Sequence, residues 1–134
     1  MTAPDPLVGH GIVAWADTDA SGWIHFTAPL RWVEEAEHRL YRSAAVGVDP
    51  GRFPRRDVRS GYVAPLRAGD PYEVRLIAGR VGTTSVTYAW TVHSHGRLCI
   101  EGTHTVVHLD DDGRPAAVPA TLRSVLTAAP MAGS

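Results

Sequence analysis

One helix-period segment early in the chain is followed by a series of strand-period segments, and this order limits the possible fold more than any other feature. Pro29 fits the first position of a helix, because its missing N–H would have no partner there. The helix is predicted over residues 29–45, where one apolar stripe recurs at helical spacing: Leu30, Val33, Ala36, Leu40, Tyr41 and Ala44.

Apolar and polar residues alternate with a period of two in the segments around this helix, which is typical of half-buried strands. Strands are predicted over residues 10–15, 56–66, 72–78, 86–92 and 98–109, and a second short helix over 120–129. Short Gly-containing turns separate the later strands, which favours an antiparallel meander. One long helix on one antiparallel sheet of about five strands is an α+β fold.

Length and composition exclude several classes of protein. The chain of 134 residues is one domain, predicted as 1–134 with loose ends at 1–6 and 128–134. Its net charge is -1, and all 13 basic residues are arginine, so we expect no nucleic-acid partner and no Schiff-base chemistry. No apolar run approaches ~18 residues, and residues 1–6 lack the basic and apolar segments typical of a signal peptide, so we expect a cytoplasmic protein without a signal peptide or a membrane partner.

The polar segment at residues 17–22 has the residue types that acyl chemistry needs. In an extended chain Asp17 and Asp19 would share one face, and neighbouring carboxylates do not ionise independently, so one pKa is expected to rise. Gly22 permits tight backbone geometry, and the N–H groups at the start of the following helix can polarise a carbonyl oxygen. The alternative is an ordinary solvated turn, since Asp, Ser and Gly are common in turns.

These residues also resemble a known family. Residues 16–26 (ADTDASGWIHF) and 30–36 (LRWVEEA) are similar to the signature of hotdog-fold acyl-CoA thioesterases, with the 4-hydroxybenzoyl-CoA thioesterase-like branch the nearest. Residues 62–70 (YVAPLRAGD) and 112–119 resemble that branch as well. The resemblance implies a sheet wrapped around one long helix, a dimer that joins two sheets, and an active site at the dimer interface. A homodimer or homotetramer is therefore expected.

The resemblance also implies roles for individual residues. Asp19 corresponds to the catalytic carboxylate, acting as nucleophile or as base for water, and the Phe26 N–H corresponds to the group that polarises the thioester carbonyl. The expected substrate is an acyl thioester of CoA or of an acyl carrier protein, with no cofactor. The residues expected to bind it are Gly22, Trp23, His25, Tyr62, Arg80 and Thr84.

Other interpretations compete with this one. A hotdog enoyl-thioester hydratase has a histidine five residues after its aspartate, whereas His25 follows Asp19 by six. A non-catalytic acyl-thioester-binding module is a further alternative. Another hotdog branch places its catalytic glutamate on the central helix, which makes Glu35 a second candidate carboxylate.

Two further residue types invite hypotheses of their own. Histidines recur near the strands, but no carboxylate is clearly grouped with them, so no metal site is expected. These histidines are His93, His95, His104 and His108. Cys99 lies within a predicted strand and is expected to be a buried apolar residue.

Overall fold

A computed structural model describes residues 7–128 and confirms the α+β class with five antiparallel strands. The strands are β1 (Leu7–Ile12), β2 (Arg55–Tyr62), β3 (Pro71–Val81), β4 (Ser85–Ser94) and β5 (Arg97–Val107). The helices are α1 (Ala28–Arg42) and α2 (Ala120–Thr127), with single 3-10 turns at Trp15–Asp17 and Pro50–Arg52. Of the predicted loose ends at 1–6 and 128–134, all but Ala128 lie outside the described residues.

The five strands form one open sheet in the order β1-β3-β4-β5-β2. Strands β3 to β5 are the predicted meander, but β2 departs from it, because β2 pairs with β5 at one edge of the sheet and not with β3. The connection from β2 to β3, residues 63–70, carries the chain past the sheet end. Both Val63 N and Ala64 N donate to Cys99 O there, at 2.7 and 3.0 Å, which ends the regular pairing.

The apolar stripe of α1 packs on one face of the sheet. Alternate residues of β4 are buried on that face, and the hydroxyls of Tyr41 on α1 and Tyr88 on β4 are 2.8 Å apart within the core. The rings of Trp32 and Tyr72 stack with their centroids 4.0 Å apart. Cys99 is fully buried, as predicted.

Three predicted boundaries shift for identifiable reasons. The first strand ends at Ile12 and not at residue 15, since the Ala14 N–H donates to the Asp17 carboxylate and closes a 3-10 turn. Strand β2 ends four residues early, ahead of Pro65, which has no N–H to donate to a sheet. Helix α1 ends at Arg42, because Ser43 is already extended. Within residues 7–128, no helix combines the length and apolar character that crossing a bilayer requires.

Candidate active site

A short loop between β1 and α1 places Asp19 at the surface. The Asp19 N–H donates to Trp23 O and the Gly22 N–H donates to Asp19 O, each at 3.0 Å, so the loop is closed at both ends. Gly22 has a φ of +86°, a conformation that glycine adopts without the steric cost of a side chain. An isolated bridge between Trp23 and Arg67 attaches the loop to the rest of the fold, and one between Thr18 and Ile24 pairs the two sides of the loop. The left-handed backbone of Gly22 agrees with the expected tight turn, and a contact of Gly22 with substrate stays a prediction.

The Asp19 carboxylate is exposed and has one occupied oxygen and one free oxygen. Oδ1 accepts the Ser21 N–H at 2.8 Å and also the Ser21 hydroxyl, whereas Oδ2 accepts no hydrogen bond from the described residues. The bonds from Ser21, aided by the charge of His25, lower the pKa of Asp19. The expectation of a raised pKa in an Asp17–Asp19 pair is wrong for Asp19, because its carboxylate is stabilised by donors. Asp19 is thus ionised and available at neutral pH.

Asp17 has a different environment and a structural role. Its side chain is nearly buried, accepting the Ala14 N–H at Oδ2 (2.9 Å) and the Arg31 guanidinium at Oδ1 (2.6 Å). The two aspartates therefore do not form a dyad. Asp17 fixes the loop to α1, and the Asp17 backbone oxygen accepts the His25 N–H at 2.7 Å.

The Phe26 N–H lies directly ahead of α1 and donates to none of the described residues. Its neighbours do have acceptors: Ala28 N donates to His25 O at 2.9 Å, and Thr27 N lies 3.2 Å from His25 Nδ1. An unpaired N–H at the electropositive start of a helix is suited to stabilise an oxyanion. Because the neighbouring N–H groups of Thr27 and Ala28 already have acceptors, the Phe26 N–H is the donor that this segment offers to a ligand.

Three of the other expected binding residues surround Phe26 and Asp19. The Tyr62 hydroxyl donates to Phe26 O, which brings β2 to the start of α1. The His25 ring stacks on the Phe26 ring with the centroids 4.6 Å apart, and its Nδ1 lies 2.7 Å from the Thr27 hydroxyl. Trp23 stands in the Asp19 loop itself. The structure therefore brings Trp23, His25 and Tyr62 together with the two candidate catalytic groups.

Arg80 and Thr84 are not part of this cluster. They lie at the β3–β4 turn, whereas the Asp19 loop is attached near the start of β3 at Arg67. The 11 residues of β3 span about 33 Å. One copy of the chain therefore does not bring Arg80 or Thr84 to a ligand at Asp19. Their contact with the substrate stays a prediction.

Sequence reasoning missed two residues at the loop, Ser21 and Arg67. Arg67 lies over the Trp23 ring, 4.2 Å from its centroid, as a cation–π pair. The Arg67 guanidinium is therefore a positive charge beside the loop. Arg67 stands in the YVAPLRAGD segment, so the motif contained it, but only the bridge to Trp23 reveals its position.

The remaining polar candidates lie elsewhere. Glu35 is exposed on α1, and the buried carboxylate of that helix is Glu37, which accepts from His104 Nε2 at 2.7 Å. His108 contacts Ala117 O at 2.9 Å, and His95 lies 3.8 Å from Asp70. Over residues 7–128, no three His, Cys, Asp or Glu side chains are grouped in a way that would bind a metal ion.

Comparison with other proteins identifies the family to which the chain belongs. The model of the thioesterase-like superfamily matches residues 13–126, and the chain belongs to that superfamily. It is therefore an enzyme that hydrolyses acyl thioesters, which sets aside the non-catalytic binding module.

Named relatives support this assignment, and a solved structure has the same fold. A 1,4-dihydroxy-2-naphthoyl-CoA hydrolase of Thermosynechococcus vestitus is 30% identical over 136 residues, covering 90% of this chain and 92% of the relative. A hydrolase of the same name from Synechococcus sp. is 32% identical over 98 residues, covering 66% of this chain and 75% of the relative. A Thermus thermophilus thioesterase solved with coenzyme A and Zn superposes with a TM-score of 0.80 at 24% identity, covering 94% of both chains. The hotdog fold is thereby confirmed.

Proposed function

We propose that the chain hydrolyses an acyl-CoA thioester at Asp19, with Phe26 as the oxyanion donor. The observation that carries the proposal is the pairing of a free carboxylate oxygen with an unpaired backbone N–H. Asp19 Oδ2 and the Phe26 N–H are both unoccupied by described residues, and both belong to the segment between β1 and α1. A thioester carbonyl placed between them would meet a base or nucleophile and an electrophile.

The chemistry follows from these two groups. Asp19 either removes a proton from a water that attacks the carbonyl carbon, or attacks that carbon itself to form an anhydride that water then cleaves. In both cases the carbonyl oxygen gains negative charge, which the Phe26 N–H stabilises. The carbon–sulfur bond breaks, the thiolate takes up a proton, and the products are a carboxylic acid and a free thiol.

The relatives suggest the class of acyl group and carrier. Both curated relatives bear the name of a hydrolase of an aromatic CoA thioester, so we propose an aryl-CoA as the preferred substrate class. An acyl-carrier-protein thioester is the second candidate, since the carrier protein and CoA both hold the acyl group on a phosphopantetheine thiol. Arg67, which lies over the Trp23 ring beside the loop, is the cation that we propose for a carrier phosphate.

We also propose that the active form is a homodimer or homotetramer in which two copies meet along β2. Strand β2 is an edge of the sheet, and an edge presents unpaired N–H and C=O groups. Large apolar side chains are exposed at this edge and beside it: Phe26 by 65%, Val63 by 59% and Tyr62 by 48%. A second copy on this surface would shield them and would enclose the Asp19 loop.

The test is thiol release from matched aromatic and aliphatic acyl-CoAs by the wild type and by Asp19→Asn. We expect the variant to lose about 10²- to 10⁴-fold in kcat with unchanged thermal unfolding, because only the base or nucleophile is removed. Asp112→Asn, in an exposed turn after β5, is the matched control and should retain full activity. An Asp19→Asn enzyme as active as the wild type would reject the assignment.

The hydratase stays the alternative, because His25 lies in the same segment as Asp19, with its ring stacked on the Phe26 ring. The same preparation is therefore incubated with crotonyl-CoA, and water addition to the double bond is followed separately from thiol release. We expect thiol release alone. Hydration without thiol release would assign the Asp19 loop to the hydratase reaction.

A further inference from the structure

Two tight turns lead into α1, and each is closed by a hydrogen bond between residues three positions apart. In the first turn the Ala28 N–H donates to His25 O at 2.9 Å. In the second turn the Leu30 N–H donates to Thr27 O at 3.1 Å. Short turns of this kind are common where an α-helix begins. Phe26 O lies between the two acceptors, so the same pattern would give it a donor from the residue three positions along the chain.

That backbone donor does not exist, because the residue is Pro29 and proline has no N–H. The Tyr62 hydroxyl donates to Phe26 O instead, from the end of β2. Among the described residues, no backbone N–H donates to this oxygen. A side chain 36 residues along the chain thus supplies the hydrogen bond that Pro29 removes from the entry to the helix.

This bond bears on the proposed chemistry, because Phe26 also provides the proposed oxyanion donor. The peptide group that contains the Phe26 N–H is held by the bond from Ala28 N–H to His25 O. The next peptide group is held by the bond from the Tyr62 hydroxyl to Phe26 O. With both groups held, the backbone dihedral angles of Phe26 are fixed and its N–H keeps one direction. A donor that is already oriented stabilises developing charge without reorganising during the reaction.

Without the Tyr62 hydroxyl, Phe26 O would take other partners. Phe26 is exposed, so water would satisfy the oxygen without fixing its direction. The Leu30 N–H would also be free to leave Thr27 O for Phe26 O, which exchanges the bond of a tight turn for the bond of an α-helix. Either change rotates the peptide groups beside Phe26 and turns its N–H out of the direction that it has in the structure.

We propose that Tyr62 is a positioning residue for the hydrolysis and that Pro29 makes its hydroxyl necessary. The hydroxyl orients the Phe26 N–H toward the thioester carbonyl and touches no reacting atom itself. This inference rests on the proposed function, because it takes the Phe26 N–H as the oxyanion donor. One consequence is specific to it: a residue with an N–H at position 29 should replace the hydroxyl of Tyr62.

The kinetic test is a double-mutant cycle between Tyr62→Phe and Pro29→Ala, followed by thiol release from benzoyl-CoA. Tyr62→Phe should lower kcat by about ten- to a hundredfold with little change in KM, because the ring stays and only the orientation of the donor is lost. Pro29→Ala alone should leave kcat close to that of the wild type, since Tyr62 still donates to Phe26 O. In the double variant the new N–H should recover most of the lost kcat. A purely structural role of Tyr62 gives additive losses instead.

A spectroscopic test observes the oxyanion donor directly. Benzoyl-CoA, isotopically labelled at the carbonyl carbon, is bound to Asp19→Asn, and its carbonyl stretching frequency is measured by difference infrared spectroscopy. A hydrogen bond from the Phe26 N–H should lower this frequency below that of free benzoyl-CoA. Adding Tyr62→Phe should return it toward the free value, and adding Pro29→Ala as well should lower it again.

The matched control for both tests is Tyr72→Phe. Tyr72 belongs to β3, its ring stacks on Trp32, and its hydroxyl forms no hydrogen bond with the described residues. This variant removes the same atom as Tyr62→Phe, but at a distance from the entry to α1. It should change neither kcat nor the carbonyl frequency of the bound ligand.

The outcomes distinguish the role of Tyr62 from the hydrolysis itself. A Tyr62→Phe enzyme as active as the wild type overturns the positioning role and leaves the hydrolysis proposal intact. The same holds for a loss of kcat that Pro29→Ala only deepens, with an unchanged carbonyl frequency. No thiol release from any CoA or carrier-protein thioester overturns the proposed function, and the role of Tyr62 falls with it.

Discussion

Ser21 binds one oxygen of the Asp19 carboxylate with both its backbone N–H and its hydroxyl, and leaves the other oxygen free. The same hydroxyl lies 3.2 Å from the Trp23 N–H, so Ser21 also ties the carboxylate to the far side of the loop. One serine thus orients Asp19 and holds it ionised at low pH. This relationship gives the exposed carboxylate the defined geometry that the proposed chemistry needs.

Ser21→Ala is expected to move the acidic limb of the pH–rate profile to higher pH. The Ser21 hydroxyl is the main reason that the pKa of Asp19 lies below its ordinary value of 3.8, and the proposed reaction needs the ionised carboxylate. Without the hydroxyl the pKa rises, and protonation stops the reaction at a less acidic pH. The measurement is kcat/KM against pH for both proteins, and coincident acidic limbs would contradict the role given to Ser21.

Asp17→Asn is expected to lower stability more than chemistry. An asparagine has one acceptor oxygen, so either the Ala14 N–H or the Arg31 guanidinium loses its partner. The free energy of unfolding should fall by about 1–3 kcal/mol, as measured by urea titration. At temperatures where the variant is folded, its kcat should exceed that of Asp19→Asn. Equal losses of kcat in the two variants would mean that Asp17 takes part in the chemistry.

The Gly22 turn offers a test of loop geometry with a control elsewhere in the chain. Gly22→Ala places a side chain at a φ of +86°, which costs about 1–2 kcal/mol and shifts the neighbouring Asp19. Gly113 has a φ of +76° in the turn after β5, so Gly113→Ala has a similar backbone cost. We expect only Gly22→Ala to lower kcat, by about ten- to a hundredfold. Equal activity of both variants would show that the Gly22 backbone does not position Asp19.

The local pattern of the sequence predicted most elements of the fold but not the partner of β2. Periodicity identifies α1 and each strand to within a few residues, because amphipathic spacing is a local property. Pairing is not local: Val63 N and Ala64 N both donate to Cys99 O, a contact between segments 35 residues apart. The short connection from β2 to β3 suggested a hairpin, and only tertiary contacts direct the chain past the sheet.

The candidate site divides in the same way. The motif around Asp19, Gly22 and Phe26 lies in one short segment, and its residues are indeed together. Spacing alone misjudged Asp17, since its partner Arg31 lies 14 residues away. Sequence reasoning also missed the buried cluster of Glu37, Arg55 and His104. These residues come from α1, β2 and β5, and no spacing rule relates them.

Glu37→Gln is expected to change how stability depends on pH. The pKa of Glu37 in the folded protein lies below the ordinary value of 4.5, so its charge stabilises the fold above about pH 4.5. That contribution is lost as the pH falls through the folded-state pKa. The wild type should therefore lose more stability than Glu37→Gln between about pH 5 and the acid limit of folding.

The experiment is a series of urea titrations at decreasing pH, with Glu35→Gln as the control on the same helix. Near neutral pH, the free energy of unfolding of Glu37→Gln should be lower by about 3–5 kcal/mol. The reason is that Arg55 and His104 lose the buried carboxylate to which they donate. Glu35 is exposed, so its variant should follow the wild-type curve. Parallel curves for the wild type and Glu37→Gln would contradict an ionised, paired Glu37.

Val63→Asp is expected to break the assembly proposed along β2 and to reduce activity with it. Val63 follows the edge strand and is exposed in the single chain, so a second copy on this surface would bury the new charge without a partner. Light scattering coupled to size-exclusion chromatography should show the wild type at the mass of two or four chains and Val63→Asp at the mass of one. Ile12→Asp, an equally exposed position on β1 at the opposite edge, is the matched control and should keep the wild-type mass. A fully active wild type with the mass of one chain would show that the Asp19 site is complete without a second copy.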